Sequence, residues 1–452
     1  MSRKFKTADY DATLDLTVRL GDCLPPGHLA RFVVDIVAQL DLSAIYARYG
    51  TRGAQPYAPE ILVAVLFVGL ATGTFSTRKL ERATYETVPF RDRAGNLHPD
   101  HDTLATFRKT FLAELKDLFV QLLLLAHTAG VLKLGNISLD GTKIHADASK
   151  SKAISYKYLL ALEAHLRVEV EQLFVLSEQA DQGEQPSGMV VSNEIAIRQQ
   201  RLVRLAQAKA VLIARAKERT ALEQAEYDAK MQERAEKARQ TGRTPRGRAP
   251  KPATPGPRDK DQYNFTDPDS PIMKHSSTEG FEQDYNAQIA VDQESLLIVG
   301  ESLSNHPTDQ QEVEPTLDSI PLELGTPEAA ALDAGYFSEA NIAIFERRAI
   351  DPYIATGRDG HHPSWWERFA DLPEPPADDA SPKVKMAYKL KSAIGKAIYG
   401  LRKCTVEPVI GIIKEVLGFR QFSLRGEKAA AGEWCLVCLA FNLKRLHTLL
   451  AG

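Results

Sequence analysis

Two short apolar runs in this chain each end on an aspartate. One run leads into Asp140, and the other, residues 329–332, leads into Asp333. A third carboxylate, Glu407, lies in the segment 399–414, whose apolar spacing predicts an amphipathic helix with many basic residues. Open α/β sheets place their sites at the carboxyl ends of strands. The pattern therefore predicts a mixed α/β fold in which three acidic side chains share one site.

Such a site has a definite chemistry. Three carboxylates brought close together repel one another unless a cation joins them. Hard oxygen ligands hold Mg²⁺, and a pair of such ions assists in-line displacement at phosphorus. The three positions therefore indicate metal-dependent phosphoryl transfer on nucleic acid.

Each carboxylate also has a structural explanation when it is taken alone. Asp140-Gly141 is a common turn pair after a strand, Asp333 could cap the following turn, and Glu407 could be an exposed helical carboxylate. His145 and Asp147 follow the first apolar run, but no partner spacing in the sequence supports a metal site there.

Composition sets wide limits on the class of protein. The chain has 452 residues, 44% of them hydrophobic, which predicts two or more domains. A net charge of −3 argues mildly against a DNA-binding protein. The charge is segregated, however, because residues 239–260 hold seven Lys and Arg against one acid.

Cysteines and apolar runs indicate the compartment. Only four cysteines occur, so the chain is no disulfide scaffold and suits a reducing cytoplasm. Cys435 and Cys438 are predicted to be small buried hydrophobes in a helix. The start of the chain is polar, and the longest apolar run, 61–71, is too short to span a bilayer. We expect a soluble, cytoplasmic protein.

The first third of the chain is predicted to be helical. Apolar residues recur at three- and four-residue spacing in 28–49, 59–72, 76–84 and 102–129. The arrangement resembles a helix-turn-helix, and its expected exposed basic residues are Arg78, Lys79, Arg108 and Lys109. Helical bundles with basic faces also occur in proteins that never touch DNA, so both interpretations stay open.

A long helical excursion follows Asp140. Residues 156–178 and 193–240 predict an antiparallel helical hairpin, although Arg198 and Lys209 interrupt its apolar seam. Residues 241–260, with five prolines, three glycines and many basic residues, predict an extended or flexible tether. That tether is either a solvated linker or a salt-dependent contact to DNA phosphates.

Strands resume after the excursion. The order is a hairpin, a helix, a buried strand, a helix, a strand, a loop and two long helices. The corresponding ranges are 285–291 with 296–302, 307–319, 329–333, 338–349, 352–356, 358–383, 383–417 and 433–450. This mixed α/β order suits the ribonuclease-H-like fold.

Four sequence blocks together carry a family resemblance. They are PDHDTLATFR at 99–108, LDGTK at 139–143, YNAQIAVD at 285–292 and RKCTVEPVIG at 402–411. In this order they resemble bacterial insertion-sequence transposases of the DDE type. The resemblance implies an α/β RNase-H-like mixed-sheet core, interrupted by a long α-helical hairpin insertion and preceded by an all-α N-terminal domain. The expected domains are a helical DNA-end-binding domain at 1–130, a catalytic core at 131–152 and 262–452, and the inserted hairpin with its tether at 153–261.

The resemblance also implies roles for individual residues. The family's catalytic and metal-binding triad falls on Asp140, Asp333 and Glu407. The expected metal is Mg²⁺, in two ions, with Mn²⁺ able to substitute. Tyr399 and Lys414 match further family positions on the glutamate helix and are expected to contact DNA, Lys414 as a phosphate binder.

The phosphate-binding cation of that helix is either Arg402 or Lys403, because the spacing from Arg402 to Glu407 is one residue longer than the commonest form.

The implied function is transposition. The protein would bind the terminal inverted repeats of its element as a homodimer on double-stranded DNA, cut them and join them to target DNA, acting in the bacterial cytoplasm and nucleoid. Two alternatives remain: a catalytically silent or co-opted DNA-binding protein of the same fold, or a host RNase-H-like nuclease. The helical N-terminal region and the long insertion favour the transposase, since a simple nuclease needs neither.

Overall fold

The structure is a computed structural model that describes residues 6–9, 19–50, 54–180, 190–243, 247–276, 278–357 and 374–451. It is a mixed α/β protein with a helical N-terminal region, a mixed sheet and a long helical insertion, so the predicted fold class is confirmed. The chain divides into two compact units, Met1–Asp147 with Met273–Gly452, and Ala148–Ile272.

The helices of the described residues are numbered here in chain order. They are α1 Leu29–Val37, α2 Ser43–Ala47, α3 Pro59–Ala71, α4 Thr77–Glu86, α5 Val88–Arg93, α6 His101–Thr110, α7 Leu112–Thr128, α8 Tyr156–Ala180, α9 Val191–Thr241, α10 Val313–Asp318, α11 Glu339–Arg347, α12 Pro382–Lys391, α13 Ala393–Gly411 and α14 Glu427–Ala451.

The strands are β1 Asn136–His145, β2 Ala153–Ser155, β3 Gln262–Asn264, β4 Ile272–Ser276, β5 Gly280–Asp292, β6 Ile298–Ser304, β7 Ala329–Leu332 and β8 Asp351–Ile354.

The centre of the N-terminal helical region is α3. Every residue of α3 except Glu60 is buried, and the helix contacts α1, α5 and α14. Its uniform apolarity therefore reflects burial on all sides within the protein core. No helix in the described ranges is long and apolar enough to cross a bilayer.

Two predicted N-terminal helices are each divided. The predicted helix 28–49 is α1 and α2, because Asp41 accepts a hydrogen bond from the Ser43 amide at 2.9 Å and starts the chain in a new direction. The predicted helix 102–129 breaks at Phe111, whose buried ring contacts Tyr49 and Phe107.

A six-stranded mixed sheet forms the centre of the larger unit. Its order is β4-β5-β1-β7-β8, and β6 also pairs with β5. β1 is antiparallel to β5 and parallel to β7, and β7 is parallel to β8. The predicted hairpin is the antiparallel pair β5 and β6. The carboxyl end of β7 therefore lies beside Leu139, in the middle of β1.

Helix α14 is fastened to the sheet by two buried side chains. The indole nitrogen of Trp434 donates to the backbone oxygen of Gln288 in β5 at 3.0 Å. The amide of Asn442 both donates to and accepts from the backbone of Ile298 in β6, at 2.7 and 2.8 Å. Cys435 and Cys438 are buried in the same helix, as predicted, and burial raises the pKa of both thiols.

The predicted long helix at 383–417 is interrupted. Ser392 separates α12 from α13, and its hydroxyl caps α13 by accepting from the Gly395 amide at 3.0 Å. A π-helical turn, Ile412–Val416, follows α13. The predicted loop at 358–383 falls largely on 358–373, outside the described residues.

The smaller unit contains the antiparallel pair of helices α8 and α9 and the two-stranded sheet β2–β3. The two basic residues that interrupt the apolar seam have partners on α8: Arg198 donates to Glu169 at 2.7 Å and Lys209 to Glu163 at 2.9 Å. The described part of the predicted tether runs beside α9, where Arg258 donates to Glu223 at 2.6 Å. One of its basic residues is thus paired with an acid.

We expect Trp434→Ala to reduce the free energy of unfolding by roughly 3–5 kcal/mol, because it leaves a large cavity between α14 and the sheet. Thermal unfolding followed by circular dichroism checks this. The matched control is Leu322→Ala, whose side chain is 92% exposed, and which should leave the melting temperature unchanged. Equal melting temperatures for wild type and Trp434→Ala would contradict the proposed packing.

Candidate active site

The register of the sheet brings two aspartates together. The last paired residues of the parallel strands β1 and β7 are Leu139 and Leu332. Asp140 and Asp333 each follow directly, so they leave adjacent strands at the same level. The expectation that the first strand ends at Asp140 is wrong: β1 continues to His145, because it stays paired with β5 after its pairing with β7 has stopped.

Glu407 reaches the same place from α13. This helix contacts β1 and β7, and the Thr405 hydroxyl donates to the Ser138 hydroxyl of β1 at 2.8 Å. Val406 and Val409 are buried on the same helix. The side chain of Glu407 is 47% exposed, so it lies at the open rim of the site.

Arg402 links two of the three carboxylates. Its Nη1 donates to Asp140 Oδ2 at 2.7 Å, and its Nη2 donates to Glu407 Oε1 at 2.9 Å. The Arg402 side chain is only 10% exposed, so both ion pairs are partly shielded from water. The structure therefore brings Asp140, Asp333 and Glu407 into one cluster, with Arg402 as its internal counter-ion.

A fourth carboxylate, which the sequence interpretation missed, belongs to this cluster. Asp309 Oδ1 accepts from the Asn286 amide at 2.8 Å, the Gln288 amide at 3.0 Å and Lys143 Nζ at 3.3 Å. The three donors lie in the blocks at 139–143 and 285–292, and this was the signal available in the sequence. Asp309 itself lies in a short 3₁₀ turn where the sequence had predicted a helix.

Gly141 is required by this network. A side chain at Gly141 would collide with the Gln288 amide, which lies directly over the backbone there. Gln288 in turn accepts a hydrogen bond from the buried Tyr336 hydroxyl. The glycine after Asp140 therefore allows the floor of the site to close.

The electrostatics of the cluster favour a cation. Burial raises the pKa of Asp140 to about 6; Arg402 opposes this, and Asp333 and Asp309 add to it. The four carboxylates Asp140, Asp309, Asp333 and Glu407 face the two cations Arg402 and Lys143. This excess of hard oxygen donors fits Mg²⁺ or Mn²⁺.

The residues expected to contact DNA lie in different environments. Arg78, Lys79, Lys109 and Lys403 are exposed. The expectation that Arg108 is exposed is wrong: its side chain is 8% exposed, it donates to Ser423 at 3.2 Å and it lies 3.7 Å from Glu433. Arg108 therefore joins α6 to the C-terminal region inside the protein.

The two remaining residues of the glutamate helix region lie close to the cluster. The half-buried ring of Tyr399 lies 6.0 Å from the Arg402 guanidinium carbon. Lys414, in the π-helical turn, donates to Thr142 Oγ1 at 2.7 Å and to the Lys143 carbonyl at 3.0 Å. Burial, together with Arg420, lowers the pKa of Lys414.

Comparison with protein families supplies evidence that is independent of the site geometry. A family described as a transposase domain (DUF772) matches residues 18–110, and a family described as a transposase DDE domain matches residues 378–447. Both matches support the identification of this chain as an insertion-sequence DDE transposase. Searches of curated proteins and of solved structures gave no match.

The two matched ranges correspond to distinct parts of this transposase. Residues 18–110 cover helices α1–α6, and residues 378–447 cover α12, α13 and most of α14, including Glu407. Asp140 and Asp333 lie outside both ranges. Their place beside Glu407 follows from the sheet register and from the contacts of Arg402.

We expect Asp140→Asn to stabilise the metal-free transposase at pH 7.5, by on the order of 2 kcal/mol, because the folded state prefers this carboxyl protonated. For the wild type, this stabilising protonation is complete below about pH 4 and is lost as the pH rises through about 6. The gap in melting temperature between variant and wild type should therefore narrow as the pH falls from 7.5 to 4.5.

Differential scanning fluorimetry in EDTA measures this gap, and exposed Asp117→Asn serves as the control. Mg²⁺ should raise the melting temperature of the wild type and leave that of Asp140→Asn unchanged. A variant less stable than wild type at pH 7.5 would contradict the charge balance described here.

Proposed function

We propose that this transposase cuts DNA at the ends of its own element and joins those ends to target DNA, with Asp140, Asp333 and Glu407 as its catalytic carboxylates. The observation that carries the proposal is their convergence from two adjacent strands and one helix upon a single partly buried cluster. The site edge is open at Glu407, which leaves access for a duplex backbone.

The same three residues would hold Mg²⁺, in two ions, with Mn²⁺ as a substitute. When bound, these ions supply Lewis-acid chemistry: a lowered pKa for the attacking water and charge stabilisation on the departing 3′-oxygen. The reaction cleaves a phosphodiester to a 3′-hydroxyl and a 5′-phosphate. The freed 3′-hydroxyl then attacks a target phosphodiester, and the displaced target 3′-oxygen takes up the proton.

The neighbouring side chains would prepare the site. Arg402 holds Asp140 and Glu407 in place and offsets their repulsion before a cation binds. Lys143 does the same for Asp309. Lys414 fixes the backbone of β1 beyond Asp140 through the Lys143 carbonyl. These contacts hold the carboxylate oxygens in position before the reaction begins, so little reorganisation is needed during it.

DNA contacts would come from the exposed cations. Arg78 and Lys79 on α4 and Lys109 on α6 would bind the backbone of the terminal inverted repeats, and Lys403 would bind phosphate beside the carboxylates. The ring of Tyr399 would support the Arg402 guanidinium. By family resemblance, the active form is a homodimer on paired ends, acting on nucleoid DNA in the bacterial cytoplasm.

The deciding experiment is cleavage of labelled DNA carrying the two sequences that flank the coding region, with Mg²⁺ or Mn²⁺. Wild type should cut at the element boundary. Asp140→Asn, Asp333→Asn and Glu407→Gln should each reduce cutting by at least about 1000-fold while retaining DNA binding, because each removes an oxygen ligand.

Other outcomes would replace this proposal. Specific binding with no cutting by the wild type would identify a silent or co-opted DNA-binding copy. Cutting of any duplex without joining to target DNA would favour a nuclease. Loss of activity in Asp117→Asn, an exposed control on α7, would show that the assay reports general damage.

Substitutions of the two adjacent cations of α13 should have different effects on DNA binding and on DNA cleavage. We expect Lys403→Gln to weaken DNA binding and to lower the slope of log affinity against log salt by about one, because one phosphate contact is lost. Arg402→Gln should leave that slope unchanged and reduce cleavage, because Arg402 is committed to Asp140 and Glu407.

Filter binding at several salt concentrations, together with single-turnover cleavage, measures both effects. The opposite assignment, with the salt slope altered only in Arg402→Gln, would show that Arg402 leaves its carboxylates and binds phosphate.

A further inference from the structure

A second cluster of titratable side chains lies in the same unit, apart from the three carboxylates. Neighbouring strands β4, β5 and β1 carry His275, Asp284 and His145 respectively, and His145 is the register partner of Asp284. Directly paired residues on one face of an antiparallel sheet lie within side-chain reach. Strand pairing therefore brings together three residues that are far apart in the sequence.

The buried carboxylate fixes both imidazoles. Asp284 is fully buried; its Oδ1 lies 2.8 Å from His145 Nδ1 and its Oδ2 lies 2.9 Å from His275 Nδ1. The two rings are stacked, with centroids 4.2 Å apart and planes 15° from parallel. A carboxylate that accepts from Nδ1–H holds a neutral histidine in one tautomer. In that tautomer Nε2 carries no proton and presents a lone pair.

Both Nε2 atoms then meet another acceptor. Glu279 Oε2 lies 3.3 Å from His145 Nε2 and 3.7 Å from His275 Nε2. With both Nδ1 protons donated to Asp284, lone pairs face lone pairs at these contacts, an arrangement that a cation between them would stabilise. A single divalent ion satisfies all three atoms at once.

The donor set selects the kind of ion. Two imidazole nitrogens and one carboxylate oxygen suit Zn²⁺ and related transition metals rather than Mg²⁺. Ligands about 2.0 Å from a tetrahedral Zn²⁺ lie about 3.3 Å from one another, close to the separations from Glu279. Two carboxylates, Asp284 and Glu279, balance the charge of the ion. Water would complete the coordination.

We propose that His145, His275 and Glu279 bind a Zn²⁺-class ion, with Asp284 as the positioning residue behind both histidines. The site clamps the strands at the place where the chain leaves the sheet and returns to it. The larger unit ends its first segment at Asp147 and resumes at Met273, so His145 and His275 flank the insertion. Closing so long a loop at its root restricts the unfolded chain and stabilises the sheet.

The test is Zn²⁺ titration of the full chain carrying Asp140→Asn and Asp333→Asn, which removes the carboxylate cluster as a competing site. Calorimetry should show one Zn²⁺ per chain that excess Mg²⁺ does not displace. Adding His275→Ala should weaken binding by roughly 100-fold or more, and Glu279→Gln or Asp284→Asn by roughly 10- to 100-fold. Co²⁺ should give visible absorption of a nitrogen- and oxygen-ligated site, absent in His275→Ala.

The matched control is His306→Asn, since His306 Nδ1 pairs with Glu312 at 2.8 Å. It should bind Zn²⁺ as the parent does. Zn²⁺ should also raise the melting temperature of the parent and of His306→Asn, but not of His275→Ala. Glu279 is half exposed, so Glu279→Gln should have the same melting temperature as the parent in EDTA. A loss of Zn²⁺ binding in this variant would then not be due to a folding defect.

Two results would overturn the proposal: no Zn²⁺ bound by the parent chain, or Zn²⁺ bound equally by the parent, His275→Ala and Glu279→Gln. Either would leave Asp284 as a plain ion-pair and hydrogen-bond partner of the two histidines. Because the titration uses a chain without Asp140 and Asp333, its result does not depend on the DNA chemistry.

Discussion

One guanidinium holds the candidate site together. Arg402 contacts Asp140 on the central strand and Glu407 on its own helix, so the position of α13 against the sheet and the geometry of the carboxylates are set by the same side chain. Partly buried charges are tolerated only when they are paired. The pairing is incomplete here, because Asp333 and Asp309 add negative charge that Arg402 alone does not balance. The excess negative charge of the folded protein therefore favours the binding of a further cation.

Much of the architecture was predictable from local pattern. Apolar runs and breakers give the order of strands and helices. Two of the four sequence blocks contain Asp140 and Glu407, and the apolar run 329–332 leads into Asp333. The boundary of the first strand was not predictable. Periodicity reports which side chains are buried, whereas the strand length depends on pairing, and β1 is paired on its β5 side beyond Asp140.

Residues that act through distant contacts also escaped prediction. Arg108 has the sequence context of an exposed helical cation, yet its partner Glu433 lies on the last helix. Asp309 itself lies outside the four sequence blocks, and it is found only because β5 presents amides to it. His145 shows no partner at ligand spacing, since His275 is brought beside it by strand order. Such information exists only once the sheet has assembled.

The insertion has a consequence for biosynthesis. β5 begins 135 residues after β1 ends, and at ribosomal speeds of about 5–20 residues per second the delay is on the order of ten seconds. During that time β1 has emerged from the ribosome, but its central partner has not been made. Exposed strand edges invite pairing with other chains. The insertion's helical hairpin is built from local contacts and can form early. Its formation brings β1 and β5 closer together before they pair.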